Sequence, residues 1–229
     1  IEAQKEKQIT WQARALDPAL SPDGTTFAYI NNNSGIQNLV LVDVDGKNTR
    51  FLTNFNDGTQ LYTPCWTSDG KKIVLCIMFE DNRDIAVVNA DAEPFNRKRK
   101  RIDTLFFADS LNFQEDLGLE LLINTSADER DPCVSSDGRF LYYTSDRTGI
   151  FNIYRMDFET GEVEQITNVL GGAIAPSINN SGNKIMYTGF HTANFNIYEL
   201  AIESPQAFSL ELGEFRDFSK RADKKTYIF

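Results

Sequence analysis

Histidine, cysteine and long apolar runs are all scarce in this chain, and each scarcity closes off a class of function. There is one histidine in 229 residues, His191. A Ser-His-Asp triad would have to use it, yet no Gly-x-Ser-x-Gly elbow accompanies it, and a solitary loop histidine is more often a surface residue than a base or ligand. No HExxH pair, no cysteine or histidine cluster and no glycine-rich phosphate loop ahead of a helix is present. The residues therefore imply no enzyme, no metal and no cofactor. No stretch approaches the roughly 18 apolar residues of a membrane-crossing helix, and no charged-then-apolar leader opens the chain. The first residue is Ile1, which fits a processed or excised segment.

Positive charge is in deficit as well. Lys and Arg number 23 against 33 Asp and Glu, for a formal net charge of −10 and a pI near 4.7. This counts against a nucleic acid or an anionic membrane as main partner, since both need cationic surface, and is compatible with a protein partner. Cys65, Cys76 and Cys133 cannot all pair. Three buried free thiols are the favoured reading; a Cys65–Cys133 disulfide is the lesser one, because equivalent points on neighbouring repeat units should lie beyond the ~7 Å limit between Cα atoms.

What is present is a repeat. Pro18–Gly24 reads PALSPDG, Pro64–Gly70 PCWTSDG, Pro132–Gly138 PCVSSDG and Pro176–Gly182 PSINNSG, with glycine spacings of 46, 68 and 44. A period near 45 with one interruption is blade-sized. In the turn, Pro22 presets φ, Asp23 can bond its own backbone and Gly24 accepts the positive φ that closes a hairpin. After each turn come a strand-like run (Phe27–Ile30, Ile73–Phe79, Phe140–Thr144, Ile185–Thr188), a polar loop, and a third strand opening on Asn38-Leu39, Asp84-Ile85, Asn152-Ile153 or Asn196-Ile197. A fourth strand is expected at Arg50–Thr53, Glu120–Asn124 and Glu164–Thr167, and Lys7–Thr10 carries the same spelling. Short antiparallel strands of this kind bury both faces only by stacking unit on unit, which predicts an all-β, β-propeller fold of four-stranded blades.

Units beginning near 18, 64, 132 and 176 place propeller repeats in residues 1–202, with an insertion at 93–118 and a C-terminal extension, or a further strand at Phe208–Leu212, in 203–229. Four recognisable blades make either a piece of a larger propeller or an unusual small one. Asp43-Val44-Asp45-Gly46 is read as an Asp-Gly hairpin rather than a calcium loop, because Lys47 follows where further ligands would be needed.

Ser21–Gly24, Ser145–Gly149 (SDRTG), Asn152–Tyr154 and Asn196–Tyr198 together resemble the WD40-like (PD40) propeller repeat of the TolB type. The resemblance covers roughly Lys7–Ile202. It implies a non-enzymatic binding module of the bacterial cell envelope, periplasmic or outer-membrane-associated, with a protein partner. The alternative it leaves open is the substrate-gating propeller of a prolyl-oligopeptidase-like or tricorn-like peptidase whose catalytic domain is absent.

Two surfaces are candidates for partner binding. Connections between second and third strands should share one face with the links between blades, gathering Asp81, Arg83, Asp146, Arg147 and His191 there. The competing reading of Asp146 and Arg147 is structural, the acid bonding loop amides and the base bridging to the next blade. The insertion should lie at the opposite end: Arg97, Lys98, Arg99, Lys100 and Arg101 form a basic tip ahead of an apolar Leu105, Phe106 and Phe107. A charge run of this kind is most often a solvated loop; its functional reading is a docking loop for an acidic partner.

Overall fold

The computed structural model describes residues 6–79, 82–92, 95–96 and 119–202. In these the chain is a row of antiparallel meanders, and the β-propeller architecture expected from the repeat is what is found. Blade one comprises β1 (Ala15–Leu20), β2 (Thr26–Asn33), β3 (Ile36–Asp43) and β4 (Arg50–Phe51), in spatial order of sequence. A short β5 (Thr53–Asn54) leads to blade two, built from β6 (Gln60–Trp66), β7 (Lys72–Phe79), β8 (Asn82–Asn89) and, beyond the parallel partner of β5, β9 (Phe95–Asn96), its outer strand β10 (Glu120–Ile123). Blade three is β11 (Glu129–Val134), β12 (Phe140–Ser145), β13 (Asn152–Asp157) and β14 (Val163–Gln165). Blade four has three described strands, β15 (Ala173–Ile178), β16 (Lys184–His191) and β17 (Asn194–Ala201).

The repeated turn closes the first hairpin of every blade. Ser21 Oγ donates to Asp23 (2.6 Å) and accepts the Thr26 amide (3.0 Å), while Asp23 accepts the Thr25 amide (3.1 Å). Thr67 with Asp69, and Ser135 with Asp137, repeat this arrangement. Asn179 caps the fourth turn by accepting the Asn183 and Lys184 amides. These bonds hold the Asp23, Asp69 and Asp137 carboxyls below the usual carboxylate range, the short hydroxyl contact being the largest cause. The turn glycines all have positive φ, +74° at Gly138 for instance, as a tight turn demands.

Successive side chains of a strand point to opposite faces, so each blade has one face toward the blade before and one toward the blade after. Between blades one and two lie Ala28, Ile30, Leu39 and Leu41 against Ile73, Leu75, Ile77, Ala86 and Val88. Between two and three, Val74, Cys76, Ile85 and Val87 meet Leu141, Tyr143, Tyr154 and Met156. Tyr142 and Ile153 then meet Ala173 and Ile185 of blade four. None of these clusters joins blade four back to blade one.

The two ends of the row differ. Lys7–Thr10 is not a strand; it belongs to an irregular segment whose Ile9 and Ala13 lie on Tyr29, Val40 and Val42, covering the first blade's outward face. A strand needs a partner edge, and this segment instead supplies side chains to a sheet face. At the far end the equivalent of Leu39, Ile85 and Ile153, each 0% exposed, is Ile197, 73% exposed.

Candidate functional site: the loop face

Strand starts of β1, β6, β11 and β15 gather at the end of the molecule that also carries the hairpins between second and third strands. Links between blades pass there: Gln60 Nε2 donates to Gly35 O (3.2 Å), Asp128 N to Asp146 Oδ1 (2.8 Å), and Ala173 N to Phe151 O (2.8 Å). A repeated clamp fixes this end. Asn38 Oδ1 accepts the Phe55 amide (2.6 Å) and the Thr53 hydroxyl (2.9 Å), while its Nδ2 donates to Phe55 O (3.1 Å). Asn152 likewise accepts from Thr167 and Val169 and donates to Ile150 O. Each clamp ties a third strand to the link leading into the next blade.

Blade two breaks the pattern. Asp84 stands at the clamp position and Ile123 where the threonine hydroxyl would be. Asp84 still accepts the Thr125 amide, but its buried Oδ1 has no donor. Desolvation first, then the negative charge of Glu129, pushes the Asp84 carboxyl up to about 7. An asparagine clamp donates with its second atom; an aspartate does so only when protonated.

Glu129, first residue of β11, is the centre of the neighbouring network. Its Oε1 accepts from Thr125 Oγ1 (2.6 Å), Ser145 Oγ (3.2 Å) and Arg147 Nη2 (3.4 Å), and its Oε2 is buried without a donor. Burial raises its carboxyl above the ordinary value, opposed by Thr125 and Arg147. Arg147 also donates to Tyr143 Oη (2.8 Å), and its guanidinium lies 4.5 Å from the Tyr154 ring centroid. Arg83 pairs with Asp128 at 3.7 Å and sits over Tyr62 at 5.4 Å. The structure thus brings Arg83, Asp146 and Arg147 together at the junction of blades two and three, each engaged with a neighbour. His191 stands apart, exposed at the hairpin of β16 and β17 with Nδ1 3.3 Å from Thr192 Oγ1. Asp81, Arg97 to Arg101, Leu105, Phe106 and Phe107 fall outside the described residues.

Sequence reasoning missed Asp84, Glu129 and Arg130. The signal for Glu129 lies in the repeat itself: aligned on the turn glycine, its position holds Ala15, Leu61 and Ala173 elsewhere. A glutamate in an apolar column marks a polar junction.

At the junction of blades three and four the loop face changes character. Arg130, on β11, places its guanidinium 3.8 Å from the Phe151 ring centroid. Phe190 and Phe195 touch at 5.1 Å between centroids and stand exposed at the end of blade four.

The turn end carries a cavity of about 940 Å³ between blades one and two. Much of its polar lining is engaged: Asp23 and Asp69 in their turns, Asp43 with Asn48, Arg50 with the carbonyls of Ala90 and Ala92, and Trp66 Nε1 with Ala19 O. The three cysteines are free thiols, and burial pushes that of Cys76 up to about 12, away from nucleophilic use at neutral pH. Among the described residues no three His, Cys, Asp or Glu side chains converge on a metal position, and no helix is long and apolar enough to cross a membrane.

No protein-family model matches the chain. Among solved structures it is similar to a TolB-designated protein of Agrobacterium tumefaciens, with a TM-score of 0.64 and 22% identity, covering 84% of this chain and 64% of that one. A puromycin-hydrolyzing peptidase of Mycobacterium tuberculosis is similar at a TM-score of 0.63 and 13% identity, over 86% of this chain and 29% of the peptidase. In sequence, the chain is 25% identical over 150 residues to YuxL, an uncharacterized peptidase of Bacillus subtilis, matching 60% of this chain and 22% of YuxL. At these identities the likenesses establish the propeller fold, and the chain spans less than two thirds of the length of each relative.

Proposed function

We propose that the chain is a non-enzymatic, protein-binding propeller segment of the bacterial cell envelope, similar to TolB in role as in architecture, periplasmic or outer-membrane-associated. The observation that carries the reading is the fourth blade's end of the loop face, where Phe190 and Phe195 are exposed and line a cavity with the Arg130 guanidinium. Apolar side chains clustered in the open, with a charged group at their rim, mark contact surfaces rather than catalytic ones. The basic tip Arg97 to Arg101 and the apolar Leu105 to Phe107 supply a second contact. Affinity capture from envelope and cytosolic fractions tests both: the chain retains an envelope protein, and a variant lacking Arg97 to Phe107 retains less of it. Equal recovery from the two fractions, or none, overturns the reading.

The likeness to YuxL favours a second reading, a propeller that orients peptides for a catalytic domain elsewhere in its protein. It predicts peptidase activity in the full-length parent, lost from this chain alone.

A further inference from the structure

Arg130 differs from the other arginines of the blades. Arg83, Arg139, Arg147 and Arg155 each face a carboxylate, and Arg50 donates to two carbonyls. Arg130 has a ring face and, among the described residues, no acceptor; its Nε is buried without one. The adjacent Asp131 does not serve, because its Oδ2 accepts from the Ala175 amide (3.2 Å) and the Thr144 hydroxyl (3.3 Å). In a chain with ten more acidic than basic residues, a partly buried guanidinium without a carboxylate has an unmet demand.

That guanidinium borders a cavity of about 320 Å³ whose other walls are Phe151, Ile174, Thr188, Phe190 and Phe195, with the Gly171-Gly172 link between blades. The walls are tied together, Ala173 N to Phe151 O (2.8 Å) and Phe190 N to Gly172 O (3.1 Å). Gly171 passes so close to the Phe190 carbonyl that any Cβ there would collide, so the link leaves no side chain across the cavity. The volume is at the low end of ligand pockets, ~300–1,000 Å³, and takes a group of about one residue. A mostly apolar chamber with one planar, forked cation and the hydroxyl-bearing Thr188 fits an apolar group carrying a carboxylate on an adjacent carbon.

We infer that this chamber is a binding site for the C-terminal residue of a partner peptide, its α-carboxylate on Arg130 and its aromatic or branched side chain among Phe151, Phe190 and Phe195. The inference rests on the protein-binding reading and names the chemistry of its partner. A peptide C-terminus meets the demand because charge and apolar group share one Cα, which matches a guanidinium 3.8 Å from the Phe151 ring centre at one wall of a mostly apolar space.

The test is calorimetric titration of the full chain with N-acetyl-Gly-Gly-Phe as the free acid and as the C-terminal amide. The free acid binds at least tenfold more tightly, Arg130→Met removes that preference, Arg130→Lys restores part of it, and Asp131→Asn strengthens acid binding by removing a neighbouring negative charge. Near-ultraviolet circular dichroism of each variant confirms the native fold. Equal binding of acid and amide, or no binding of either at millimolar concentration, overturns the site. Capture of an envelope protein by Arg130→Met at wild-type level also overturns the site while leaving the protein-binding reading intact. Acid-selective peptide binding without any captured envelope protein keeps the site and removes that reading.

Discussion

The junction between blades one and two and the junction between blades two and three use the same repeat positions with opposite chemistry. Leu61 and Ile77 are buried in the first; the same positions in the second hold Glu129 and Ser145, equally buried. The Asn38 and Thr53 clamp of the first is complete, whereas Asp84 and Ile123 leave an oxygen without a donor in the second. Stacking alone therefore needs only the apolar version. The polar version costs desolvation and returns a fixed arrangement of loops at one end of the molecule.

The largest effect should come from breaking that polar junction on one side. Glu129→Ala leaves Arg147, whose side chain is largely buried, facing two tyrosines and no anion, and should destabilise by about 3 kcal/mol or more. Replacing both, Glu129→Leu with Arg147→Met, copies the dry junction and should be neutral or stabilising by up to about 4 kcal/mol. Urea midpoints of the single and double variants check this. A double variant no better than Glu129→Ala would mean the junction depends on charge for its packing.

At the turn end, the same two junctions differ in how closely blades approach. Gly138 has φ +74° and a Cβ there would run into Ser68 Oγ, while at Gly70 the nearest atom, Pro22 Cδ, is 3.7 Å away. Both Gly→Val changes pay the positive-φ strain of about 1–2 kcal/mol, and Gly138→Val should cost roughly 1 kcal/mol more. Thermal melting of the two variants side by side measures the difference.

Much of this molecule is written in its sequence because a repeat is read four times. The turn spelling placed every first hairpin, and the pairs beginning at Asn38, Asp84, Asn152 and Asn196 fall within third strands, opening the strand at Asn152 and lying two residues inside it in the other three blades. Lys7–Thr10 misled for a physical reason: Gln-Ile-Thr spells an outer strand only if an edge is available, and in this fold its isoleucine covers a face instead. The loop-face residues were legible as a group. Their partners were not, since Arg147 meets Glu129 across 18 positions and Arg130 meets its cavity through a neighbouring blade. Asp84 shows what single residues conceal: it reads as a conservative relative of asparagine until its missing donor is seen.

That donor gives the next effect. Because the folded carboxyl of Asp84 titrates near 7, well above its unfolded value, the folded state binds the extra proton between these limits. The contribution to stability is complete below the unfolded value of 3.8 and is lost as pH rises through about 7; Glu129, also raised, adds in the same direction. Asp84→Asn supplies the amide that Asn38 and Asn152 use, so it should stabilise at pH 8 by about 1–2 kcal/mol, discounted for partial exposure, and flatten the decline between pH 4 and 8. Chemical denaturation across that range decides it. An unchanged slope would place the titrating group elsewhere in the junction.

The smallest effect should appear where a junction has only one half. Ile153 is packed between blades three and four, and Ile197 holds the same repeat position on a face that no described blade covers. Burial rather than identity sets the energetic value of a side chain, so Ile153→Ala should cost about 2–5 kcal/mol and Ile197→Ala within about 0.5 kcal/mol. Melting of both variants in this chain provides the contrast. The same Ile197→Ala change in a longer parent protein sharpens it. A cost there approaching that of Ile153→Ala would show that a further blade completes the junction, whereas an unchanged midpoint would leave Ile197, with Phe190 and Phe195, on the surface offered to a partner.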